Sequence, residues 1–391
     1  MSTKRLNKSI FSCIANPNAW KKPGVFGGGE ILTKNYFLSL NEFKFYVIQN
    51  QHKIIEKEDH IHINLITLPF TKTNNEIQDI LNTVIWIIGC LYYFIKNKKH
   101  CIFFYACTSN ITDFLPCFIA SKLLKKKLIV KCHITIYKGE GNSFRNVFNN
   151  FMSEGNSHIN SIIRAFATYF VLILLSHTDE IICTSDKVRD SLKDKIPNKK
   201  LTLNYNGISI DEIKKFRTKE KSYDICFMSR IEKYKGVFEF IEMCKYLDKI
   251  HKLNKAVIIG EGTELIKLEQ TILQNNLNHK IVITGYLENE RFNYLAKSKF
   301  LIFPSHAMEG FALVIIEALA CNTSIIALEN DGFPNDFKNL KGLYLVKDMK
   351  EIQQIYMKNQ SSIKSIPLEQ LQAFDFNRSI RREKEIINNY I

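Results

Sequence analysis

The chain has 391 residues, which is too long for one compact core and predicts two domains of ordinary size. A hydrophobic fraction of 46% with 12% aromatic residues is ample for globular folding. The formal net charge of +15 requires an anionic partner, yet the sequence has no zinc-finger spacing, no RNP-like aromatic motif and no basic heptad pattern, which argues against nucleic acid.

The cysteines and the first residues both bear on the compartment. Ten cysteines are scattered without a C-x-x-C motif, and several, such as Cys183 and Cys226, lie in apolar runs where cysteine acts as a small hydrophobe. This pattern indicates a reducing cytoplasm. The segment MSTKRLNKSIF has no long apolar core and no small-residue cleavage site, so we expect no signal peptide.

Short apolar runs alternate with longer helical stretches along the chain, which predicts parallel α/β sheets. In the first half, the glycine run Gly27-Gly28-Gly29 precedes a helix-like run over 31–40. It lacks the dinucleotide fingerprint, because no strand is predicted before it and no further glycine follows at the required spacing, so on its own it predicts a turn. The strands predicted in this half are Lys44–Gln49, His62–Leu68, Cys101–Ala106, Lys127–Ile134 and Glu180–Thr184.

Two apolar runs in this half, Val84–Ile95 and Ala165–Leu175, are shorter than the roughly 20 residues that span a bilayer. We expect core helices, with an interfacial role for the first as the alternative. Lysine-rich clusters occupy 96–100 (KNKKH) and 122–127 (KLLKKK), each after an apolar run. They predict a basic rim facing an anionic membrane, and a generally lysine-rich composition stays open as the other explanation.

His133 lies at the end of a predicted strand, where a histidine is either a hydrogen-bonded structural residue or a functional one, and both interpretations stay open. The turn dipeptide Asn206-Gly207 and the charged run Asp211–Lys219 mark a domain boundary. We therefore expect an N-terminal domain over 1–207, a C-terminal domain over 208–375, and a final helix over 376–391 that can pack back on the N-terminal domain.

In the second half, helices are predicted at Val237–Leu253 and Thr263–Gln274. In doubly wound sheets ligands bind beyond the carboxyl ends of the strands, and the motifs of this half all fall at such ends. The predicted strands are Asp224–Ser229, Ala256–Gly260, Ile281–Gly285, Phe300–Phe303, Ser324–Leu328 and Gly342–Val346.

Arg230 directly follows the first of these strands, and Lys235-Gly236 opens the next helix. A lysine in the first helical turn opposes the helix dipole, but the placement becomes favourable when a phosphate occupies the helix end. This spacing alone is weak, since a solvated loop explains it equally well.

The most informative segment is 304–320, PSHAMEGFALVIIEALA. Glu309 lies in a loop, and Gly310 opens an apolar helix-like run whose only charge is Glu317. A carboxylate in such a run is costly to bury without a hydrogen-bond partner, and a loop-to-helix junction offers free N–H groups to phosphate. Together they indicate a nucleotide-sugar pocket, whereas a core helix with one solvent-reaching glutamate is the alternative.

The Glu309-x7-Glu317 motif, with Arg230 and Lys235 upstream, resembles the signature of family-4 retaining glycosyltransferases of the GT-B fold, the glycosyl transferases group 1. The usual Glu-Gly-Phe-Gly has Ala312 at its last position here, which still allows a close backbone approach. The resemblance covers nearly the whole chain. It implies an α/β protein of two doubly wound Rossmann-like domains facing across a cleft.

The resemblance also implies roles for individual residues. Glu309 and His133 would lie at the catalytic centre, beside the donor sugar. The implied donor-binding residues are Arg230, Lys235, Glu317, Gly310, Phe311, Ala312, Leu287, Gly28 and Gly29. No Asp-x-Asp motif occurs, and protein cations can neutralise the leaving diphosphate, so we expect no metal and no cofactor.

The implied activity is retaining, metal-independent transfer of a hexose from a nucleoside-diphosphate sugar to a hydroxyl. The expected acceptor is a lipid-linked glycan or an intermediate of lipopolysaccharide or surface polysaccharide, at the inner face of the cell membrane, with the enzyme cytoplasmic and peripheral. A soluble acceptor, an epimerase-like sugar-nucleotide enzyme and a non-catalytic nucleotide-binding partner stay open. Donor sugar, base, linkage and oligomeric state are not predicted.

Overall fold

In this computed structural model, the described residues are 8–15, 28–51, 55, 62–69, 76–133, 144–153, 158–193, 195–196, 200–306, 311–330, 333–360 and 365–391. The chain divides into two compact units. The first comprises Met1–Phe151, Ser157–Tyr205 and Ser379–Ile391, and the second comprises Met152–Asn156 and Asn206–Arg378.

The first unit contains a seven-stranded parallel sheet of order β3-β2-β1-β4-β5-β6-β7. Its strands are β1 Ser9–Ile14, β2 Phe45–Asn50, β3 Ile63–Leu68, β4 Cys101–Ala106, β5 Leu128–Cys132, β6 Glu180–Cys183 and β7 Leu201–Leu203. Its helices are α1 Gly28–Ser39, α2 Glu76–Lys96, α3 Ile111–Leu123, α4 Phe144–Ser153, α5 His158–Leu175 and α6 Asp186–Lys193.

Alternation along the strands sorts the side chains of this sheet into two cores. Phe104 and Ala106 of β4 pack with residues of α2, α3, α5 and α6, whereas the intervening Tyr105 points to the opposite face, where it contacts Phe37 of α1. Because β1, β2, β4, β5 and β6 are buried along nearly their whole length, they read as largely apolar runs rather than as alternating ones.

Two strands of this sheet are absent from the sequence-based prediction. The central β1 runs through Ser9–Ile14, in a segment whose lysine-rich start concealed its apolar core. The prediction that no strand precedes the glycine run is therefore wrong. The short β7 was also missed. The predicted strand Cys101–Ala106 is confirmed to the residue, and the other four predicted strands of this half are present with ends that differ by one or two residues.

The two apolar helices differ from the prediction of core helices. With 21 and 18 residues, α2 and α5 are longer than the apolar runs that announced them, and both are long and apolar enough to cross a membrane by length and composition. Only 17% of the apolar window of α2 and 22% of that of α5 is buried. Most residues of these windows are not buried, so the prediction that α2 and α5 are core helices is wrong for the larger part of their surface.

The second unit contains a six-stranded parallel sheet of order β10-β9-β8-β11-β12-β13. Its strands are β8 Tyr223–Met228, β9 Ala256–Ile259, β10 Ile281–Ile283, β11 Ser298–Phe303, β12 Ser324–Leu328 and β13 Leu343–Val346. Its helices are α7 Ile210–Ile213, α8 Val237–Lys249, α9 Leu265–Gln274, α10 Arg291–Ala296, α11 Leu313–Ala320 and α12 Met349–Asn359, and α13 Phe376–Asn388 follows. All six predicted strands of this half are present, and the prediction of two doubly wound α/β sheets is confirmed.

The final helix, α13, packs from Ser379 onward within the first unit. Glu383 is fully buried there and pairs with buried Lys131 of β5 at 3.2 Å. The carboxylate also accepts a hydrogen bond from the Tyr105 hydroxyl and one of 2.6 Å from Nδ2 of Asn204. A buried ion pair needs such additional donors to offset its desolvation, so these contacts fix the position of the helix.

Candidate functional site

The strand order of the second unit reverses between β8 and β11. The chain moves from β8 outward to β9 and β10, and then crosses to β11, β12 and β13 on the other side. At such a switch point the connections leave in opposite directions, and a crevice opens beyond the carboxyl ends of the two central strands. Arg230 follows β8 and His306 follows β11, so the loops after these two strands meet at this edge of the sheet.

Two positively charged side chains lie near one aromatic ring directly after β8. The guanidinium carbon of Arg230 and Nζ of Lys235 each lie 5.8 Å from the ring centroid of Tyr234. Arg230 is exposed, and no carboxylate pairs with it among the described residues. Both cations thus lie near the same aromatic ring. This arrangement is suited to an anion.

Close backbone contacts fix the loops at this edge. Gly236 has φ of +79°, and a Cβ atom there would lie 2.0 Å from the carbonyl oxygen of Pro304, so only glycine fits. The amide of His306 donates a 2.9 Å hydrogen bond to the carbonyl of Tyr234. The loop after β11 is therefore held directly against the turn that carries Arg230 and Lys235.

Gly260, at the end of β9, also requires glycine. It has φ of +145°, and a Cβ atom would lie 2.0 Å from the carbonyl oxygen of Ser229. Its amide donates a 2.9 Å hydrogen bond to the carbonyl of Gly285 beyond β10. The loops after β8, β9 and β10 thus form one hydrogen-bonded edge.

Glu317 lies in the second turn of α11 and is 13% exposed. Its Oε1 accepts a 2.7 Å hydrogen bond from Nη2 of Arg291, the first residue of α10. Burial lowers the pKa of Arg291, but the neighbouring Glu317 raises it overall, so the guanidinium is firmly charged. Within the described ranges, Oε2 of Glu317 accepts no hydrogen bond and is available to a ligand.

No sequence motif indicated a role for Arg291. It stands in the charged stretch 288–291, ENER, which reads as a solvated surface. Its pairing with Glu317 joins residues 26 positions apart, and no local pattern reports such a contact. Only a search for a basic residue at the start of a helix that neighbours α11, the helix of Glu317, could have found it.

Leu287 lies just beyond β10, in an irregular segment, and is partly exposed. Its neighbour Tyr286 has a raised pKa, chiefly because of burial and then because of the carboxylate of Glu288, with a further contribution from Glu317. The segment therefore lies within the electrostatic reach of the Glu317 carboxylate, as a base-binding segment would.

Two predicted donor-binding residues at the start of α11 are buried. Phe311 is 5% exposed and packs against Phe337 and Phe374 at 5.7 and 5.6 Å between ring centroids. Ala312 is 8% exposed and precedes the first residue of the helix. The side chain of Phe311 therefore anchors the loop in an aromatic core, and any contact of these residues with a ligand falls to their backbone.

The start of α11 also differs from the prediction. The helix begins at Leu313, three residues after Gly310, so Gly310 does not open it. Glu309 and Gly310 themselves lie outside the described residues.

A further pair at this edge was not predicted. Nε2 of His306 lies 3.1 Å from Oε1 of Glu239, in the first turn of α8. The other oxygen of Glu239 is buried and has no hydrogen-bond partner among the described residues. This contact adds a second connection between the loop after β11 and the helix that follows Lys235.

In the first unit, His133 follows β5 and is partly buried. Burial, together with the nearby Lys131 cation, lowers the pKa of His133 to about 4, so the imidazole is neutral at pH 7. Its Nε2 lies 2.9 Å from the carbonyl oxygen of Cys107. A carbonyl only accepts, so the proton resides on Nε2, and Nδ1 carries a lone pair.

The glycines predicted to precede a helix lie inside one. Gly28 and Gly29 are the first two residues of α1, so the helix begins three residues before the predicted range of 31–40. The strand β1 precedes this glycine run, with 16–27 between them outside the described residues.

The arrangement in the second unit combines a pair of cations at a sheet switch point with a carboxylate that keeps one oxygen unbonded. Cations at such a position are suited to a diphosphate, and a carboxylate can accept hydrogen bonds from vicinal hydroxyls. Among the described residues, no group of three or more His, Cys, Asp or Glu side chains is arranged to hold a metal ion.

A family model matches most of this unit. Residues 209–359 match the model of the family Glycosyl transferases group 1, which confirms the resemblance drawn from Arg230, Lys235 and the glutamate motif. An uncharacterized glycosyltransferase of Methanocaldococcus jannaschii is 30% identical over 165 residues, covering 42% of this chain and 44% of its own. The chain spans about half the length of this relative and of the Campylobacter relative described next.

Two further relatives have named activities. The N-acetylgalactosamine-N,N'-diacetylbacillosaminyl-diphospho-undecaprenol 4-alpha-N-acetylgalactosaminyltransferase of Campylobacter jejuni is 28% identical over 198 residues, covering 49% of this chain and 52% of its own. The 2-deoxystreptamine N-acetyl-D-glucosaminyltransferase of Niallia circulans is 26% identical over 290 residues, covering 69% of each chain.

Solved structures establish the fold. Sucrose-phosphate synthase from Thermosynechococcus elongatus superposes with a TM-score of 0.74 at 14% identity, covering 98% of both chains. HepE of Anabaena, in complex with UDP and glucose, superposes with a TM-score of 0.67 at 15% identity, covering 97% of this chain and 99% of its own. The GT-B fold predicted from the sequence is confirmed.

Proposed function

We propose that this chain, whose residues 209–359 are a glycosyl transferases group 1 segment, transfers a sugar from a nucleoside-diphosphate sugar to a hydroxyl acceptor. The observation that carries the proposal is the pair of cations, Arg230 and Lys235, each 5.8 Å from the ring centroid of Tyr234 at the switch point of the second sheet. A glutamate on the neighbouring helix α11 supplies the complementary acceptor for hydroxyl groups.

Donor binding divides between these groups. The guanidinium of Arg230 presents parallel N–H donors to two phosphate oxygens, and Lys235 adds a second positive charge. Arg291 holds Oε1 of Glu317, which leaves Oε2 to accept from a ribose hydroxyl. In this proposal the backbone near Leu287 contacts the base, so the identity of the Leu287 side chain has little influence on which base is bound.

The proposed reaction is metal-independent and retains the anomeric configuration. The bond from the anomeric carbon to the β-phosphate oxygen breaks, and the acceptor oxygen forms its bond to the same carbon on the same face. The acceptor proton passes to the departing diphosphate, so the protein need not supply a base. Arg230 and Lys235 stabilise the negative charge that develops on the leaving group. Glu309 orients the sugar hydroxyls and stabilises positive charge on the ring.

His133 suits a place near an uncharged part of the substrate. With a pKa of about 4 it is neutral at pH 7, and it holds its proton on Nε2 towards the carbonyl of Cys107. As a neutral imidazole it can lie beside the uncharged sugar. It does not contribute a charge for the diphosphate.

We propose a lipid-linked glycan, or an intermediate of lipopolysaccharide or surface polysaccharide, as the acceptor, used at the cytoplasmic face of the membrane. The name of the Campylobacter relative specifies a diphospho-undecaprenol acceptor, and the lysine clusters at 96–100 and 122–127 suit an anionic membrane. A soluble acceptor is the second candidate, because the name of the Niallia relative specifies 2-deoxystreptamine and its similarity covers more of the chain.

A panel of nucleoside-diphosphate sugars tests the function, with release of nucleoside diphosphate measured with and without a lipid extract. We expect release with one donor, strongly enhanced by the extract, and a product in which the sugar has moved to a lipid. The R230A variant should lose this activity, whereas K233A, an exposed lysine of the same turn, should retain it.

The outcomes distinguish the alternatives. Enhancement by water-soluble aminocyclitols instead of lipid would identify the soluble acceptor. An isomerised donor without release of nucleoside diphosphate would identify an epimerase-like enzyme. Donor binding without turnover, under any acceptor condition, would leave a non-catalytic nucleotide-binding protein.

A further inference from the structure

The helix α2 carries a continuous row of large apolar side chains on its solvent side. A globular protein normally exposes such side chains singly, so a row of them along a 21-residue helix indicates an interaction surface. The exposed residues are Ile80 at 48%, Leu81 at 51%, Val84 at 47%, Ile85 at 60%, Ile88 at 61%, Tyr92 at 57% and Ile95 at 41%.

The helix α5 carries a second such row. Phe144 of α4 extends it, because its ring lies tilted against the ring of Phe166 with 4.8 Å between the ring centroids, and Phe166 is still 63% exposed. Arg164 is the only Asp, Glu, Lys or Arg residue in this helix. The other exposed apolar residues are Ile159 at 63%, Ile162 at 41%, Ile163 at 38%, Phe170 at 46% and Ile173 at 60%.

The two rows lie on the same side of the first sheet. Residues of α2, α3 and α5 share one core: Trp86 and Phe94 come from α2, Phe114 from α3, and Val171 and Leu175 from α5. The helix α3 packs against both of the others. We name the exposed residues of α2 and α5 together the apolar face.

Lysines mark one end of the apolar face. Nζ of Lys122, at the end of α3, donates a 2.6 Å hydrogen bond to the carbonyl of His177, just beyond α5. The ends of α3 and α5 therefore lie side by side, and the lysine cluster 122–127 lies with them. The other cluster, 96–100, follows the end of α2. In a parallel sheet with helical crossovers the helix ends lie together, so both clusters border the same end of the face.

Neither helix spans a bilayer while the unit is folded as described. One side of α2 is buried in the sheet core, with Trp86 and Phe94 at 1% and 0% exposure, and Nε1 of Trp86 donates a 2.9 Å hydrogen bond to the carbonyl of Thr112. A spanning helix would have to leave these contacts. A helix with one buried side and one exposed apolar side instead lies along a surface.

We propose that the apolar face inserts into the interfacial layer of an anionic lipid bilayer, with the lysines of 96–100 and 122–127 on the headgroups. The inference deepens the proposed function, since it rests on a membrane-borne acceptor and names the surface that reaches it. Both helices, about 31 and 27 Å long at 1.5 Å per residue, can lie in the membrane plane.

Charge favours lipid over a second copy of the chain. Copies of a protein with a net charge of +15 repel one another, and a face bordered by lysines meets the same lysines on its partner. An anionic leaflet instead presents the opposite charge at the depth where the lysines lie, and acyl chains at the depth of the isoleucines and phenylalanines.

Insertion of the apolar face predicts a different salt dependence of membrane binding from that of attraction by lysines alone. Binding to vesicles should have two parts, one that salt removes and one that it does not, since apolar insertion is insensitive to screening. Vesicles of phosphatidylcholine with phosphatidylglycerol provide the probe, with flotation measured at about 0.1 M and about 1 M salt, where the screening length falls from about 10 to 3 Å.

Matched variants separate the two parts. I85S/I88S/F166S/I173S should lower binding at least tenfold at both salt concentrations. K125Q/K126Q/K127Q should lower it at low salt only. The control is I266S/L273S, which removes two equally exposed apolar side chains, 71% and 63%, from α9 of the second unit and should bind as wild type. Circular dichroism checks that each variant is folded.

Three results would overturn the inference: no vesicle binding by the wild type at low salt, unchanged binding by the fourfold apolar variant, or a wild-type dimer that this variant abolishes without any vesicle binding. The last result would make the face a contact between copies. Because flotation needs no turnover, membrane binding without activity on any donor would sink the proposed function alone. Lipid-stimulated activity with unchanged flotation of the apolar variant would sink this inference alone.

Discussion

Nη2 of Arg291 donates a 2.7 Å hydrogen bond to Oε1 of Glu317, between the helices α10 and α11, which β11 separates in the chain. The only carboxylate of α11 thus has the partner that its burial requires. The contact fixes the position of one carboxylate oxygen and leaves the other available, which is the arrangement expected of a preformed acceptor for a ribose hydroxyl. It also means that the presence of Glu317 in an apolar helix is explained without a ligand, so binding has to be measured.

Replacing Glu317 should weaken nucleotide binding. In E317A we expect a loss on the order of 2 kcal/mol in the affinity for a nucleoside diphosphate, because a charged hydrogen bond to the ligand is removed. R291A should weaken binding less than E317A does, since the carboxylate of Glu317 remains but no longer has a partner that fixes its position. Calorimetric titration measures both, with E242A of the exposed surface of α8 as the control. Wild-type affinity in E317A would leave Glu317 with a purely structural role.

The cations after β8 should make a metal unnecessary. We expect turnover to survive excess chelator, because Arg230 and Lys235 provide the charge that a metal ion would otherwise supply. R230A and K235A should each weaken nucleoside-diphosphate affinity by about 1.5 to 3 kcal/mol, and K233A should not. Activity that chelation abolishes and magnesium or manganese restores would refute the assignment of the diphosphate to these two residues.

His133 should make the first unit sensitive to mild acid. Its folded pKa of about 4 lies below the ordinary value of 6.5, so the unfolded chain takes up the proton first as the pH falls. Its contribution to the free energy of unfolding is therefore complete above pH 6.5 and is lost as the pH falls towards 4, by up to about 3 kcal/mol.

Urea unfolding between these pH values tests this expectation. In H133N the loss of stability on acidification should be smaller than in wild type, because the replacement does not titrate. H279N, at an exposed position in the second unit, serves as the comparison for the substitution itself. If the free energy of unfolding changed with pH in the same way in wild type and in H133N, His133 would not be held neutral in the folded protein.

The buried pair of Lys131 and Glu383 should be essential for folding of the first unit. Burial lowers the pKa of Lys131, but the carboxylate of Glu383 raises it overall, so the lysine stays charged only because of its partner. E383Q leaves that charge uncompensated and should cost about 3 to 5 kcal/mol of unfolding free energy. K131M/E383Q should recover much of this loss.

The same helix provides the control. The pair of Arg382 and Glu385 is exposed, at 52% and 64%, so E385Q should change the free energy of unfolding by less than about 1 kcal/mol. An E383Q protein that unfolds at the wild-type urea concentration would contradict the importance of the buried pair.

Much of the second unit follows from local sequence. Its strands are short apolar runs that end at glycines or charges, and all six could be predicted because a strand buried on both faces must be apolar along its length. Arg230 and Lys235 could be placed for the same reason, since each position is counted from the end of a strand. The family resemblance rests on this part of the chain, and the matching segment 209–359 lies there.

Other features depended on contacts between distant residues. The central strand β1 was missed because its segment begins with lysines, and its burial comes from pairing with β2 and β4, which lie far along the chain. The partner of Glu317 is Arg291 only because α10 and α11 pack on the same face of the sheet. The exposure of Ile85 and Phe166 could not be read from composition, because an apolar residue has the same sequence signature whether its helix is covered or not. Local sequence determines which segments are apolar and where they end, whereas tertiary packing decides which apolar surface stays uncovered and which charges meet.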